Sequence, residues 1–272
     1  MKLINPSSAF AAVGLAILAS IGTAAAADLG GAPSRSMKDE PSDYRPAFSW
    51  TGFYAGLHAG YGLSGDDNIE TTGQAAANVG TVASGARPGS VNLDRRGFIG
   101  GVQVGYNWQM NGIVFGVEAD ISKTDLEEST RVVTSVGGNV RNNDFRSRLD
   151  YLGTVRGRVG VAYDKSLFFV TAGLAYGDVE NSATFFGPNG GGGVRQFTGS
   201  SSGVETGYVV GGGVEHAFTS HWTFKGEYLY YDLGNNTVGV NLIPGSGGVG
   251  TGYNTRFDND GHIVRAGLNY KF

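Results

Sequence analysis

The 272-residue sequence predicts an all-β chain, an eight-stranded antiparallel transmembrane up-and-down β-barrel that follows a cleaved signal peptide. Three observations carry that expectation. From Thr51 to the last residue, apolar and polar residues alternate with period two in short segments. The connections between segments alternate between tight turns and long polar stretches. The composition is rich in glycine, 47 residues, and poor in charge, 16% against roughly 25% in ordinary soluble proteins. After residue 27 no apolar run reaches the roughly 20 residues that a spanning helix needs.

The N-terminus reads as a secretory signal. Lys2 supplies the charge, Ala9 to Ile21 the apolar run, and Ala25-Ala26-Ala27 the small-residue cleavage site, so cleavage is expected between Ala27 and Asp28. Residues 28–49 hold Pro33, Pro41 and Pro46 among charges such as Arg35, Lys38, Asp39 and Glu40, too polar to bury a core. They read as a periplasmic linker, with a plug or peptidoglycan contact as the alternative. The barrel domain is then residues 50–272.

The first strand sets Phe53, Ala55, Leu57, Ala59 and Tyr61 toward lipid and Tyr54, Gly56 and His58 toward the lumen. The second puts Phe98, Val102, Val104, Tyr106 and Trp108 outward, with Gln103 and Asn107 inward. In the third, Ile113, Phe115, Val117, Ala119 and Ile121 face lipid while Glu118 and Asp120 point in. The fourth sets Leu149, Tyr151, Val155, Val159, Val161 and Tyr163 outward and Thr154, Arg156 and Arg158 inward. The fifth exposes Phe168, Val170, Ala172, Leu174 and Tyr176, and the sixth Tyr208, Val210 and Val214, with Glu215 inside. The seventh turns Trp222, Phe224, Tyr228 and Tyr230 out and Lys225 and Glu227 in. The eighth sets Val264, Ala266, Leu268, Tyr270 and Phe272 out against Arg265, Asn269 and Lys271.

Each strand is expected to run for about 10 to 13 residues, enough to cross the apolar layer at a tilt. Residues 109–112, 164–166 and 219–221 are tight periplasmic turns; Ser64–Arg96, Ser122–Ser147, Glu180–Glu205 and Leu233–Gly261 are hydrated, mobile extracellular loops. Aromatics at the strand ends form two girdles at the headgroup levels, a pattern with no purpose on a soluble sandwich.

Particular stretches carry a family resemblance. Trp50-Thr51-Gly52-Phe53-Tyr54-Ala55-Gly56, Gly211-Gly212-Gly213-Val214-Glu215-His216-Ala217-Phe218, Trp222 to Tyr230 and the ending Val264 to Phe272 resemble the small outer-membrane barrels of alphaproteobacteria, the RopB-type relatives of the OmpA transmembrane domain. The resemblance implies fold and location in the outer membrane rather than an activity. It also implies that Phe272, with Tyr270 and Leu268 before it, is the terminal signal read by the barrel-assembly machinery; the alternative is that Phe272 is one more girdle aromatic.

The inward set gathers Glu118, Asp120, Glu215 and Glu227 with Arg156, Arg158, Lys225, Arg265 and Lys271. An eight-stranded barrel is about wide enough for side chains to fill, so an ion-pair core that fixes the barrel is expected, with a narrow pore as the alternative. The chain has no cysteine, hence no disulfide, thiolate nucleophile or cysteine metal site, and its net charge of −4 gives no basis for nucleic-acid binding. Neither G-x-S-x-G nor H-E-x-x-H occurs; His262 near Asp258 or Asp260 is a solvated loop residue on this reading, and no enzyme, cofactor or metal site is expected. Gly190 to Gly193 has no Lys-Ser or Lys-Thr after it and reads as a loop tip. The functional expectation is a structural barrel that supports the envelope and presents loops outside. A small porin is the alternative, and a host- or haem-binding surface protein ranks third. Membrane lipids, lipopolysaccharide, the assembly machinery and further copies of itself are the expected partners.

Overall fold

Strand pairing closes the chain on itself. The computed structural model describes residues 48–65, 68–188, 193–246 and 251–272; the cleavage site expected at Ala27 and Asp28, residues 28–47 and Gly190 to Gly192 lie outside the described residues. Eight long strands form the wall: β1 (Gly52–Ser64), β4 (Arg96–Met110), β5 (Ile113–Val136), β6 (Asn139–Tyr163), β7 (Ser166–Pro188), β8 (Val194–Ala217), β9 (Trp222–Leu242) and β10 (Gly252–Lys271). All neighbours are antiparallel, and β10 returns to pair with β1 from Tyr54↔Lys271 to Ser64↔Gly261. Closure leaves no sheet edge to face lipid.

The short strands β2 (Asn68–Gly73) and β3 (Ser90–Asn92) flank the helix α1 (Ala76–Ala83). β2 pairs with β10 between Ile69↔Phe257 and Gly73↔Tyr253, and β3 pairs with β2, so both prolong the wall above β1 and β4. The segment between them is tied to opposite strands. Gln74 N–H donates to Gly252 O and Thr81 Oγ1 lies 2.9 Å from Tyr253 Oη on β10, while Thr134 Oγ1 of β5 donates to Ala86 O and Arg87 Nη1 to Phe186 O of β7.

In the lower half, outward residues such as Phe53, Leu57, Phe98, Val170 and Leu174 are exposed and their neighbours are buried, as period two requires. Aromatic contacts mark two levels. Phe53, Tyr106 and Trp108 touch in sequence at one end, and so do Trp222, Tyr270 and Phe272. Tyr61–Phe98, Tyr151–Tyr176 and Tyr208–Tyr230 pair at the other. The band between them is where lipid chains cover the wall.

The long connections differ from expectation. The stretches expected as loops are mostly strand, and β5 to β10 run for 20 to 25 residues. β5 and β6 meet at the two-residue turn Gly137-Gly138, both at positive φ, the geometry that suits a twisted hairpin. The reason lies in polarity. Along β7, the outward residues change from Leu174 and Tyr176 to Asp178, Glu180, Ser182 and Thr184, while the inward ones become Val179, Ala183 and Phe185. Once the outer face meets water instead of lipid, the strand persists by burying apolar residues inside. Phe145, Phe185, Phe197, Val238, Val240, Tyr253 and Phe257 form the resulting upper core.

The fourth predicted strand also needs correction, because Leu149 is buried and faces the interior. Register shifts between Leu149 and Leu152 on β6, and between Lys123 and Leu126 on β5, insert irregularities just above the outer aromatic level. On β6 the shift turns the residues beyond it to the other face, whereas β5 keeps its parity and Leu126 faces inward like Glu118 and Asp120. Leu149 therefore joins Ile99, Leu126, Leu152, Leu229 and Leu233 in an inner apolar layer. At the same height the β8–β9 ladder is interrupted between Tyr208↔Asp232 and Thr198↔Asn241, where Asn236 Nδ2 donates to Ser201 Oγ and Glu205 Oε1, each at 3.1 Å.

Candidate functional site in the barrel lumen

Between the membrane levels the inward positions of β5, β6, β8, β9 and β10 bring four carboxylates and four cations together. Period two sets this layer: Glu118 and Asp120 are two apart on β5, Arg156 and Arg158 on β6, Lys225 and Glu227 on β9. Arg156 sits centrally, donating through Nη1 to Glu227 Oε1 at 2.8 Å and through Nη2 to Asp120 Oδ2 at 3.0 Å and to Glu118 Oε1. Arg265 donates through Nε to Glu227 Oε2 at 2.7 Å and grips both oxygens of Asp120 at 3.1 Å. Lys225 Nζ reaches Glu118 at 2.8 Å, and Arg158 Nη1 reaches Glu215 Oε2 at 3.0 Å. Each of the eight is almost wholly buried, and burial of charge on this scale requires such pairing.

Neutral groups complete the layer. Tyr54 Oη donates to Glu118 Oε2 at 2.7 Å, Thr154 Oγ1 to Asp120 Oδ2 at 2.6 Å, and Asn269 Nδ2 to Glu215 Oε1 at 2.8 Å. Thr223 Oγ1 also donates to Glu215, and Arg158 Nε donates to Asn107 Oδ1. The inward parity of these residues was readable in the sequence, but their role in the network was not, because it depends on which strands face each other across the lumen. Tyr54 reaches Glu118 by lying across Gly105, where a Cβ would stand 2.2 Å from the phenol oxygen.

Lys271 does not join this layer. It lies at the lower rim with Nζ 5.5 Å from the Phe48 ring centroid, since the last inward position of β10 falls below the charged level. Beneath the charges, Trp50, Val114, Leu167 and Phe169 form an apolar floor, and above them stands the layer built around Leu149 and Leu229. The charged layer thus lies between two apolar ones.

The histidines are dispersed. His58 Nε2 lies 2.7 Å from Ser122 Oγ and 3.3 Å from Arg265 Nη1 in the lumen. His216 and His221 contact Ser166 and Ser220 near the lower turns. His262 is not a loop residue: it lies within β10 and packs on Tyr228, whose Oη is 2.7 Å from Nδ1. The terminal residues face outward. Phe272 is 73% exposed, Leu268 pairs in register with Leu57, and the Phe272 N–H donates to Phe53 O at 3.0 Å.

A closed antiparallel wall with an apolar exterior band and a charged interior is the architecture of an outer-membrane barrel. The model of the outer membrane protein beta-barrel domain family matches residues 13–272. The chain belongs to that family. Among curated relatives, it is 33% identical over 240 residues to the 31 kDa outer-membrane immunogenic protein of Brucella melitensis, covering 83% of this chain and 85% of the relative. It is 31% identical over 230 residues to the 22 kDa outer membrane protein of Rhizobium leguminosarum, with 84% and 81% covered. Among solved structures, the outer membrane protein OprG of Pseudomonas aeruginosa aligns at 14% identity with a TM-score of 0.45, covering 82% of this chain and 96% of that one. As a member of this outer-membrane family, the chain is an alphaproteobacterial-type small barrel located in the outer membrane.

Proposed function

We propose that this outer-membrane barrel is a structural protein that supports the envelope and presents a rigid polar surface outside the cell. The filled lumen carries the reading: four carboxylates and four cations neutralise one another between the Trp50–Phe169 floor and the Leu149–Leu229 layer. Packing of this kind leaves ions no wetted path, which favours a scaffold over a small porin.

The exterior supports the same role. Just above the outer aromatic level, Arg96, Glu127, Arg148 and Glu180 stand in cross-strand register on β4 to β7, a row of alternating sign. This height is where headgroup phosphates and their counterions lie, so lipopolysaccharide is the proposed lateral partner. The Brucella relatives bear the name immunogenic, which suits surface presentation of the extended upper strands.

The test is electrical. The mature chain is refolded, closure is checked by the mobility difference between unboiled and boiled samples, and single-channel current is recorded in a planar bilayer. Folded protein is expected to give no steps. Stable steps that vanish with unfolded protein would establish the porin reading instead.

A further inference from the structure

The upper end of the barrel holds a second group of charges, and among the described residues, unlike the first, it pairs with no acid. On the inward face, Gly187 of β7 pairs with Arg195 of β8, and the pair Asn142↔Phe186 places Arg141 of β6 beside Gly187 on its other side. Arg87, from the segment that crosses the mouth, lays its guanidinium over the gap: a Cβ on Gly187 would stand 3.2 Å from Arg87 Nη2 and 3.1 Å from Arg141 Cγ. Three arginines therefore converge on a glycine.

Arg87 is 3% exposed; its Nη1 donates to Asn143 Oδ1 at 2.6 Å, Phe186 O at 2.9 Å and Asn142 O at 3.3 Å, and its guanidinium lies against the Phe185 and Tyr253 rings and hydrogen-bonds the Tyr253 side chain. Its Nε is buried without a partner, and so is Nε of Arg195. Among the described residues no carboxylate pairs with Arg87, Arg141 or Arg195. Each of the four cations of the charged layer below, Arg156, Arg158, Lys225 and Arg265, is met by a carboxylate within hydrogen-bond reach. A buried guanidinium without an anion is costly, and the unpartnered Nε groups of Arg87 and Arg195 are donors suited to a carboxylate or phosphate oxygen. The local field has the same sign. Burial would raise the Tyr253 phenol, but hydrogen bonds from Thr81 and Asn78 and the charge of Arg87 hold it below the usual range. Arg87 is itself lowered, by burial first and by Arg141 and Arg195 besides.

The geometry points to an oxyanion-binding site at the extracellular mouth, in which Arg87, Arg141 and Arg195 receive a carboxylate or phosphate group over Gly187. Membrane phosphates lie too low to supply it. From Tyr176 at the outer aromatic level to Gly187, β7 runs 11 residues, roughly 36 Å along the strand at about 3.3 Å per residue, and most of that is height even at a tilt of about 40°. The ligand is a soluble anion or an acidic group on a glycan that projects beyond the bilayer. This inference is independent of the scaffold reading, since it concerns neither the lumen nor conduction.

The test uses the mature chain, refolded in nanodiscs free of lipopolysaccharide. Inorganic phosphate, glucuronate and, as the neutral control, glucose are titrated calorimetrically. Saturable binding of phosphate or glucuronate but not glucose is expected, weakened at least tenfold by Arg195→Gln, which leaves the Arg87 contacts to β6 and β7 in place. Phosphate alone would identify a free-phosphate type of ligand, and glucuronate alone a uronic glycan. Arg87→Gln is expected to abolish binding; if it also prevents closure, Arg141→Gln serves in its stead. Failure of both anions to bind folded protein, or binding unchanged in Arg195→Gln, would overturn the assignment.

Discussion

Glu227 shows how much a single side chain of the charged layer supports. One oxygen accepts from Arg156 and the other from Arg265, with Lys225 Nζ at 3.7 Å. Glu227→Gln would leave four cations facing three carboxylates in a space closed to water, and breaking a buried pair in this way costs about 3 kcal/mol or more. The expected outcome is a lower urea midpoint for loss of the closed form, while Lys271→Ala, at the rim and outside the layer, shifts it little. Equal midpoints for both variants would mean that the charges are solvated rather than paired. Gly105 bears on the same layer from the opposite side. Gly105→Val drives a branched side chain into the Tyr54 ring and moves its phenol off Glu118, and overpacking of this order costs about 2 kcal/mol. The companion variant Tyr54→Phe, which removes only the hydroxyl, is expected to cost less; an equal loss would place the effect in the hydrogen bond rather than in the packing.

At the scale of elements, the membrane-spanning part was legible because two solvents impose two faces. Phe53 to Tyr61 and Phe168 to Tyr176 alternate so regularly that period two assigns their sides without further information. The upper wall was hidden by the same criterion. Once Tyr176 gives way to Asp178, the outer residues become polar and the inner ones are a mixture of apolar and polar, so Val179, Asn181, Ala183 and Phe185 resemble a loop composition. The recoverable signal was the unbroken parity of Phe185, Phe197 and Phe257, which continue the inward positions of their strands with none of them beside a lipid face. Leu149 was misassigned because a register shift, unlike a turn, leaves no glycine or proline to mark it. The charged layer was half legible: parity gave its members, while their partners follow from a closure that no local pattern encodes. The register shifts also predict where the wall is weakest. Amides of residues 126–136 and 139–149 sit in a continuous ladder and should exchange slowly, whereas residues 199–207 and 233–240, across which β8 and β9 make no ladder, should exchange fastest among the strands. Hydrogen–deuterium exchange of the refolded barrel measures both; uniform protection along β8 and β9 would show that the interruption is closed in solution.

For the whole molecule, the last strand has two duties that can be separated. β10 closes the barrel on β1, and its final residue adds one backbone bond, Phe272 N–H to Phe53 O, and an edge contact to Tyr270 at 5.2 Å. The side chain is otherwise exposed to the lower interface, so its removal withdraws little from the folded state, within about 1 kcal/mol for an exposed interfacial aromatic. Closure itself rests on the eleven residue pairs from Tyr54↔Lys271 to Ser64↔Gly261, none of which includes Phe272. Deletion of Phe272 is therefore expected to leave refolding into detergent intact, with the same mobility difference between unboiled and boiled samples. If the terminal aromatic is the signal read by the assembly machinery, the same deletion in cells lowers the amount of barrel recovered from the outer membrane, and Phe272→Tyr restores it. Unchanged recovery in cells would reduce Phe272 to a girdle residue. Impaired refolding in detergent would instead assign it to closure, because no machinery is present there to read a signal.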